Sequence, residues 1–190
     1  FCNFVAMKQK EQAICVYGAS CDDIAECYKA AAFRVGALIA ESGYPLVSGG
    51  GRGGLMAAAI NGATAGGGES VGVLPQFMID KNWQHPALSS MIATPDMHTR
   101  KHKMASMSGG VIALPGGVGT LDELMEIITW KQLGLYTGNV VILNTDGYYD
   151  PLLEMLARIE ERGFMRSGGV SLWSVAETPE EAVAAAIAAK

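Results

Sequence analysis

Twice in this chain an apolar run is followed by a glycine turn of the form G-G-x-G-(G/T)-L that opens a helical pattern. The copies are Gly50-Gly51-Arg52-Gly53-Gly54-Leu55 and Gly116-Gly117-Val118-Gly119-Thr120-Leu121. A buried strand that ends in glycines and feeds a helix is the opening of a βαβ unit. Two of them place both turns on the carboxyl edge of one parallel sheet, where such folds bind ligands. In the second copy Val111, Ile112, Ala113 and Leu114 form a short central strand stopped by Pro115. Gly116, Gly117 and Gly119 let the backbone turn tightly and approach a ligand. The helix then runs to about Tyr136, with Thr120 at the N-cap position and Glu123 three residues on. Its free N–H groups and dipole form an anion site. Glu123 has two readings here: it closes a capping box on the Thr120 N–H, or it stands one turn from a bound phosphate as a working carboxylate.

The rest of the chain alternates in the same way. Apolar runs at 13–17, 45–48, 70–74, 91–94, 140–143 and 171–175 read as strands. Between them, helices are expected at 22–42, to about 65, at 96–110 and at 149–162. Asp22 and Asp23 suit the start of the first helix and Gly43 its end. A closing helix is capped by Thr178, with Pro179 at its first position and Glu181 completing the box. Residues 76–90, with Trp83, His85 and Pro86, break the pattern and read as an active-site loop or an irregular surface connection. The expected fold is a Rossmann-like, doubly wound parallel sheet in a single three-layer α/β/α domain over 1–190. Residues 1–11 are expected to be a flexible N-terminal extension.

Composition narrows the function. Of the 190 residues 49% are hydrophobic and 17% charged, which is globular rather than disordered, and the net charge of −5 with no basic run argues against a nucleic-acid partner. No apolar run is long enough to span a membrane, and the first residues lack the apolar core of a signal peptide. Cys2, Cys15, Cys21 and Cys27 contain no C-x-x-C pair, and Cys15 lies in an apolar strand; reduced thiols in a cytoplasmic protein fit that usage. His98 and His102 have the i,i+4 spacing of a zinc helix, but the residues between them are Thr99, Arg100 and Lys101, with no glutamate. A metal site is therefore not expected, and taken alone the Arg100-Lys101 pair reads as a surface charge run.

The joint pattern P-G-G-x-G-T-x-x-E at 115–123 resembles the signature of the Lonely Guy family, the cytokinin riboside 5′-monophosphate phosphoribohydrolases, whose members often carry an inherited lysine decarboxylase label. The stretch M-x-x-R-K at 97–101 resembles the family's second signature, and the resemblance runs from Ile14 to about Val175. It implies hydrolysis of the N-glycosidic bond of an adenosine 5′-monophosphate, N6-modified or not, to the free base and ribose 5-phosphate. Arg100 and Glu123 would be catalytic. Gly116, Gly117, Gly119, Thr120, Lys101, Met97, Thr129, Gly50, Gly51 and Ser20 would contact substrate and phosphate. No cofactor is implied, and the helix at 121–136 would pair two subunits in a homodimer. The family often places a glutamate in the loop that corresponds to 76–90, and none is present here. A non-catalytic nucleotide-binding protein on the same fold is the competing reading. A pyridoxal phosphate decarboxylase would need Lys101 or Lys103 as its Schiff base, on a cationic helix without an obvious pyridinium partner.

Overall fold

The computed structural model describes residues 12–165 and 171–189. They form one seven-stranded sheet, all parallel: β1 (Ala13–Tyr17), β2 (Leu46–Ser48), β3 (Ser70–Pro75), β4 (Ser90–Thr94), β5 (Ser108–Ala113), β6 (Asn139–Leu143) and β7 (Ser174–Ala176). The spatial order is β4-β3-β2-β1-β5-β6-β7. The winding reverses between β1 and β5, which pair in register from Cys15 opposite Val111 to Tyr17 opposite Ala113. The crevice outside that reversal is where a doubly wound sheet takes its ligand.

Helices cover both faces, because side chains alternate along each strand. Ile14, Val16, Ile112 and Leu114 pack with Val35, Ile39, Leu55, Ile60 and Val183 on one side. These come from α1 (Glu26–Glu41), α2 (Gly54–Ala65) and α7 (Pro179–Ile187). Cys15, Tyr17, Val111 and Ala113 face Met104, Leu124, Ile127 and Leu156 on the other. Those come from α4 (Met97–Ser106), α5 (Val118–Gln132) and α6 (Asp150–Glu161). The Rossmann-like three-layer expectation is met, Cys15 is a core residue, and the capping box at Thr178 forms with both of its hydrogen bonds. The expected extension at 1–11, with Cys2, lies outside the described residues.

Several boundaries move, each for a physical reason. The first helix begins at Glu26 rather than near 22, because Asp22 turns away and its carboxylate accepts the Gly54 N–H at 2.8 Å, at the start of α2. The fourth helix stops at Ser106, and Gly109 and Gly110 belong to β5. Part of the expected loop at 76–90 is a short helix, α3 (Gln76–Asp80). The last strand begins three residues later than expected and ends one residue later. The helix after the second glycine turn starts at Val118 with Gly117 as N-cap, three residues before the expected position, so Thr120 sits inside its first turn.

Candidate active site

That early start of α5 removes one of the two readings of Glu123, the capping box. With Thr120 not a cap, the capping box has no place to form, and no side chain caps this helix. Glu123, 9% exposed, turns inward and its Oε1 accepts a hydrogen bond from Nη1 of Arg100 at 3.0 Å. Arg100 is not on a solvated face. It is 6% exposed, on the inner side of α4 with Met104, and its Nε donates to the Val73 carbonyl at 3.0 Å. The reading of Arg100, taken alone, as surface charge is corrected by this burial. A buried ion of each sign is tolerable only because the two are paired and further hydrogen bonded.

Burial raises the Glu123 pKa above the usual carboxylate value, and the adjacent Arg100 guanidinium works against that rise. Cys15 and Tyr17 lie beneath the pair on β1, and both are pushed up, by burial first and then by the Glu123 charge for Cys15. A carboxylate and a guanidinium held in low dielectric beside a ligand crevice form a typical functional pairing.

Lys101 points the other way round α4. Its Nζ bridges Asp122 Oδ2 at 2.9 Å and Glu126 Oε1 at 3.3 Å, which ties α4 to α5. Burial opposes its charge, but these two carboxylates outweigh that and raise its pKa. Asp122 and Glu126 are therefore its partners. His98 and His102 face solvent, His102 edge-on to Trp130. Among the described residues no group of three or more His, Cys, Asp or Glu is placed to hold a metal.

The two glycine turns differ in what their helix starts hold. At α2 the Gly54 N–H is taken by Asp22, and the Leu55 and Met56 N–H groups both donate to the Ala19 carbonyl. At α5 the N-terminus opens outward: Gly117 and Gly119 are exposed, and a Cβ at either would meet nothing within 4 Å. Gly116 is the tight one, since a Cβ there would overlap Thr120. Gly50 and Gly51 are occupied by the neighbouring segment: His85 N–H donates to the Gly50 carbonyl at 2.8 Å, and Gly51 forms an antiparallel bridge with Gln84. His85 itself is buried, which lowers its pKa, and its Nδ1 accepts the Ala87 N–H. Ser20 is exposed on the loop that passes between the two turns, where Ala19 N–H reaches the Pro115 carbonyl. Met97 is exposed at the first position of α4; Thr129 is exposed two turns along α5 from Glu123, its hydroxyl donating to the Met125 carbonyl.

Sequence reasoning missed the residues that hold the second turn from behind. Tyr149 OH donates to the Leu114 carbonyl and Tyr148 OH to the Gly116 carbonyl, both at 2.7 Å, with the two rings edge to face at 5.0 Å. Nothing local marks them: they precede α6, more than thirty residues from the turn they support. The Val73 carbonyl was equally invisible, as any backbone acceptor is.

Comparison with known proteins shows what the whole chain is similar to. A family model described as possible lysine decarboxylase matches residues 56–186. The cytokinin riboside 5′-monophosphate phosphoribohydrolase LOG3 of Arabidopsis thaliana is 37% identical over 176 residues, covering 93% of this chain and 82% of that protein. The probable enzyme of the same name, LOGL2, from Oryza sativa subsp. japonica is 36% identical and covers 94% of this chain and 73% of its own length. Among solved structures, the molybdenum cofactor carrier protein of Chlamydomonas reinhardtii is 28% identical with a TM-score of 0.71, covering 92% of this chain and 95% of that one.

Proposed function

The chain belongs to the Lonely Guy family of cytokinin riboside 5′-monophosphate phosphoribohydrolases, and from that premise we propose that it hydrolyses the N-glycosidic bond of an adenosine 5′-monophosphate. The single observation that carries the reading is the buried Arg100–Glu123 pair beside an uncapped glycine-rich helix start. The α5 N-terminus holds the 5′-phosphate through the N–H groups that follow Gly117. That anchor supplies binding energy remote from the reacting bond. Glu123 faces the ribose, stabilises the oxocarbenium-like carbon and takes a proton from the attacking water. The water oxygen bonds to C1′ as the bond from C1′ to the base nitrogen breaks. The electron pair leaves with the base, Arg100 stabilises the negative charge that builds on it, and the departed base then takes a proton from solvent as Glu123 returns its own proton to solvent. Products are the free purine and ribose 5-phosphate.

The decarboxylase label of the family model fits the residues poorly. A Schiff-base lysine needs a neutral amine, whereas Lys101 is held as a cation by two carboxylates. The non-catalytic reading draws support from the carrier-protein structures that share the fold. It predicts nucleotide binding without turnover.

Further proposals complete the reading. Lys101, Thr120, Met97, Thr129 and Ser20 border the ligand, Gly50 and Gly51 shape its wall, and the protein works in the cytoplasm as a homodimer. Incubation with AMP, N6-prenyl-AMP, GMP and CMP, followed by chromatography of released bases, tests the function. Release of adenine or N6-prenyladenine with an equal amount of ribose 5-phosphate is expected. Saturable AMP binding with no base released would favour the carrier-like alternative.

A further inference from the structure

Arg100 is fixed on two sides by hydrogen bonds: Nε to the Val73 carbonyl and Nη1 to Glu123, both at 3.0 Å. Its third side, the Nη2 edge, has a different kind of neighbour. It lies against the α-carbon of Gly49, the first residue after β2. A Cβ at Gly49 would overlap Nη2 and stand 3.1 Å from Cζ, with the Met56 sulfur also at 3.1 Å. What holds the guanidinium in place is its two hydrogen bonds, which a displacement would break. Val73 is on the adjacent strand β3, and Glu123 is on the opposite side. Gly49 cannot withdraw either, because the turn is pinned on both sides: Gly50 N–H donates to Ser48 Oγ at 3.1 Å, and the Gly50 carbonyl accepts from His85. Gly49 has no left-handed φ, so its backbone conformation would tolerate a side chain. What requires glycine here is the guanidinium.

We propose that Gly49 is a positioning residue for the reaction: its bare α-carbon leaves the space that the Nη2 end of the Arg100 guanidinium fills while the side chain reaches Val73 and Glu123. The first glycine turn thereby serves the chemistry of the second through Arg100. This role rests on the proposed hydrolysis for its effect on turnover, but its geometric part stands apart from any substrate. If Arg100 is displaced from this space, Glu123 loses its cation. The other groups that face Glu123 are Lys101 on α4, Asp122 on its own helix, and Cys15 and Tyr17 on β1. Lys101 is already bonded to Asp122 and Glu126, so none of them replaces the guanidinium. Glu123 then titrates at higher pH.

The test is Gly49→Ala, read three ways in the full chain: melting temperature, kcat and KM for AMP, and the pH midpoint of Glu123. The last is followed by NMR of glutamate 13C-labelled at the side-chain carboxyl, with the resonance identified by its loss in Glu123→Gln. The expected result is a folded protein in which kcat falls at least a hundredfold, KM changes less than threefold, and the Glu123 midpoint rises by a full pH unit or more. The control is the same change made in an Arg100→Lys background, where no Nη2 exists to clash. There Gly49→Ala should add less than a threefold loss of kcat and no further shift of the midpoint. An unmoved Glu123 midpoint in folded Gly49→Ala overturns the proposal. If Gly49→Ala alone fails to fold, the double variant decides: a melting temperature restored toward that of Arg100→Lys supports the proposal, and an equal loss in both backgrounds refutes it. A wild-type protein that releases no base from AMP would remove the hydrolysis and leave the NMR comparison intact.

Discussion

At Glu123 burial and an adjacent cation act in opposite senses on one carboxylate, and burial dominates. The sign matters for activity. A raised pKa means that the carboxylate, the form needed to stabilise a cationic sugar, is lost on acidification sooner than an exposed glutamate would be. The kcat profile should therefore show an acid limb with a midpoint above the ordinary 4.5. A limb at or below that value would remove Glu123 from the rate-determining ionisation. The same shift makes the protonated side chain the better buried form, so the contribution of Glu123 to stability falls as pH rises through its folded pKa. Removing the side chain is a separate matter. Glu123→Ala leaves Arg100 buried with neither counter-ion nor acceptor and should cost about 3–5 kcal/mol in a urea melt; Glu123→Gln also removes the counter-ion but keeps a hydrogen-bond acceptor for Nη1, and should cost less. Gly117 makes the opposite prediction, since its φ of −82° and ψ of −161° suit any residue and a side chain there points into open space. Gly117→Val should melt as the wild type does but raise KM for AMP at least tenfold, because the side chain occupies the phosphate position. An unchanged KM would place the phosphate elsewhere.

Elements carry the site through two close approaches, of which the sequence announced only one. The glycine turns and the strands that feed them were legible, because turn chemistry and apolar periodicity are local; the strand order, with its reversal between β1 and β5, is tertiary and was not. The edges of the elements were less so. Thr120-Leu121-Asp122-Glu123 satisfies the capping-box pattern, yet Gly117 starts the helix three residues earlier, since a glycine N-cap with exposed N–H groups leaves no sequence mark. Asp22 reads as the start of α1 but is used at α2, a pairing that depends on tertiary placement. The contact between α1 and α2 is also hidden in sequence. A Cβ at Gly36 would overlap the Ala59 carbonyl, and one at Gly62 the Phe33 carbonyl, so each helix presents a glycine to the other's backbone. Gly36→Ala should therefore lower stability by about 1–3 kcal/mol, the usual cost of overpacking. A melt unchanged from the wild type would mean that the helices can separate freely.

Over the whole molecule, the site is assembled from five strands' worth of chain. Val73 comes from β3, Gly49 follows β2, Arg100 and Glu123 come from α4 and α5, and the tyrosines that brace the second turn precede α6. No short motif contains that arrangement, although two short motifs hold its charged pair. The apolar surface expected for pairing subunits is smaller than the sequence suggested. Leu124, Ile127 and Ile128 are buried within the chain's own core, whereas Leu133 and Leu135 are 66% and 72% exposed at the end of α5. Light scattering at micromolar concentration should give twice the chain mass, and replacing both exposed leucines with serine should give the chain mass. A wild-type protein already at the chain mass would contradict the dimer. The central claim concerns Glu123, and it is tested most directly by adenine release from AMP in Glu123→Gln beside the wild type. The account predicts a loss in kcat of at least a hundredfold in a variant that stays folded; near-normal turnover in that folded variant would contradict it.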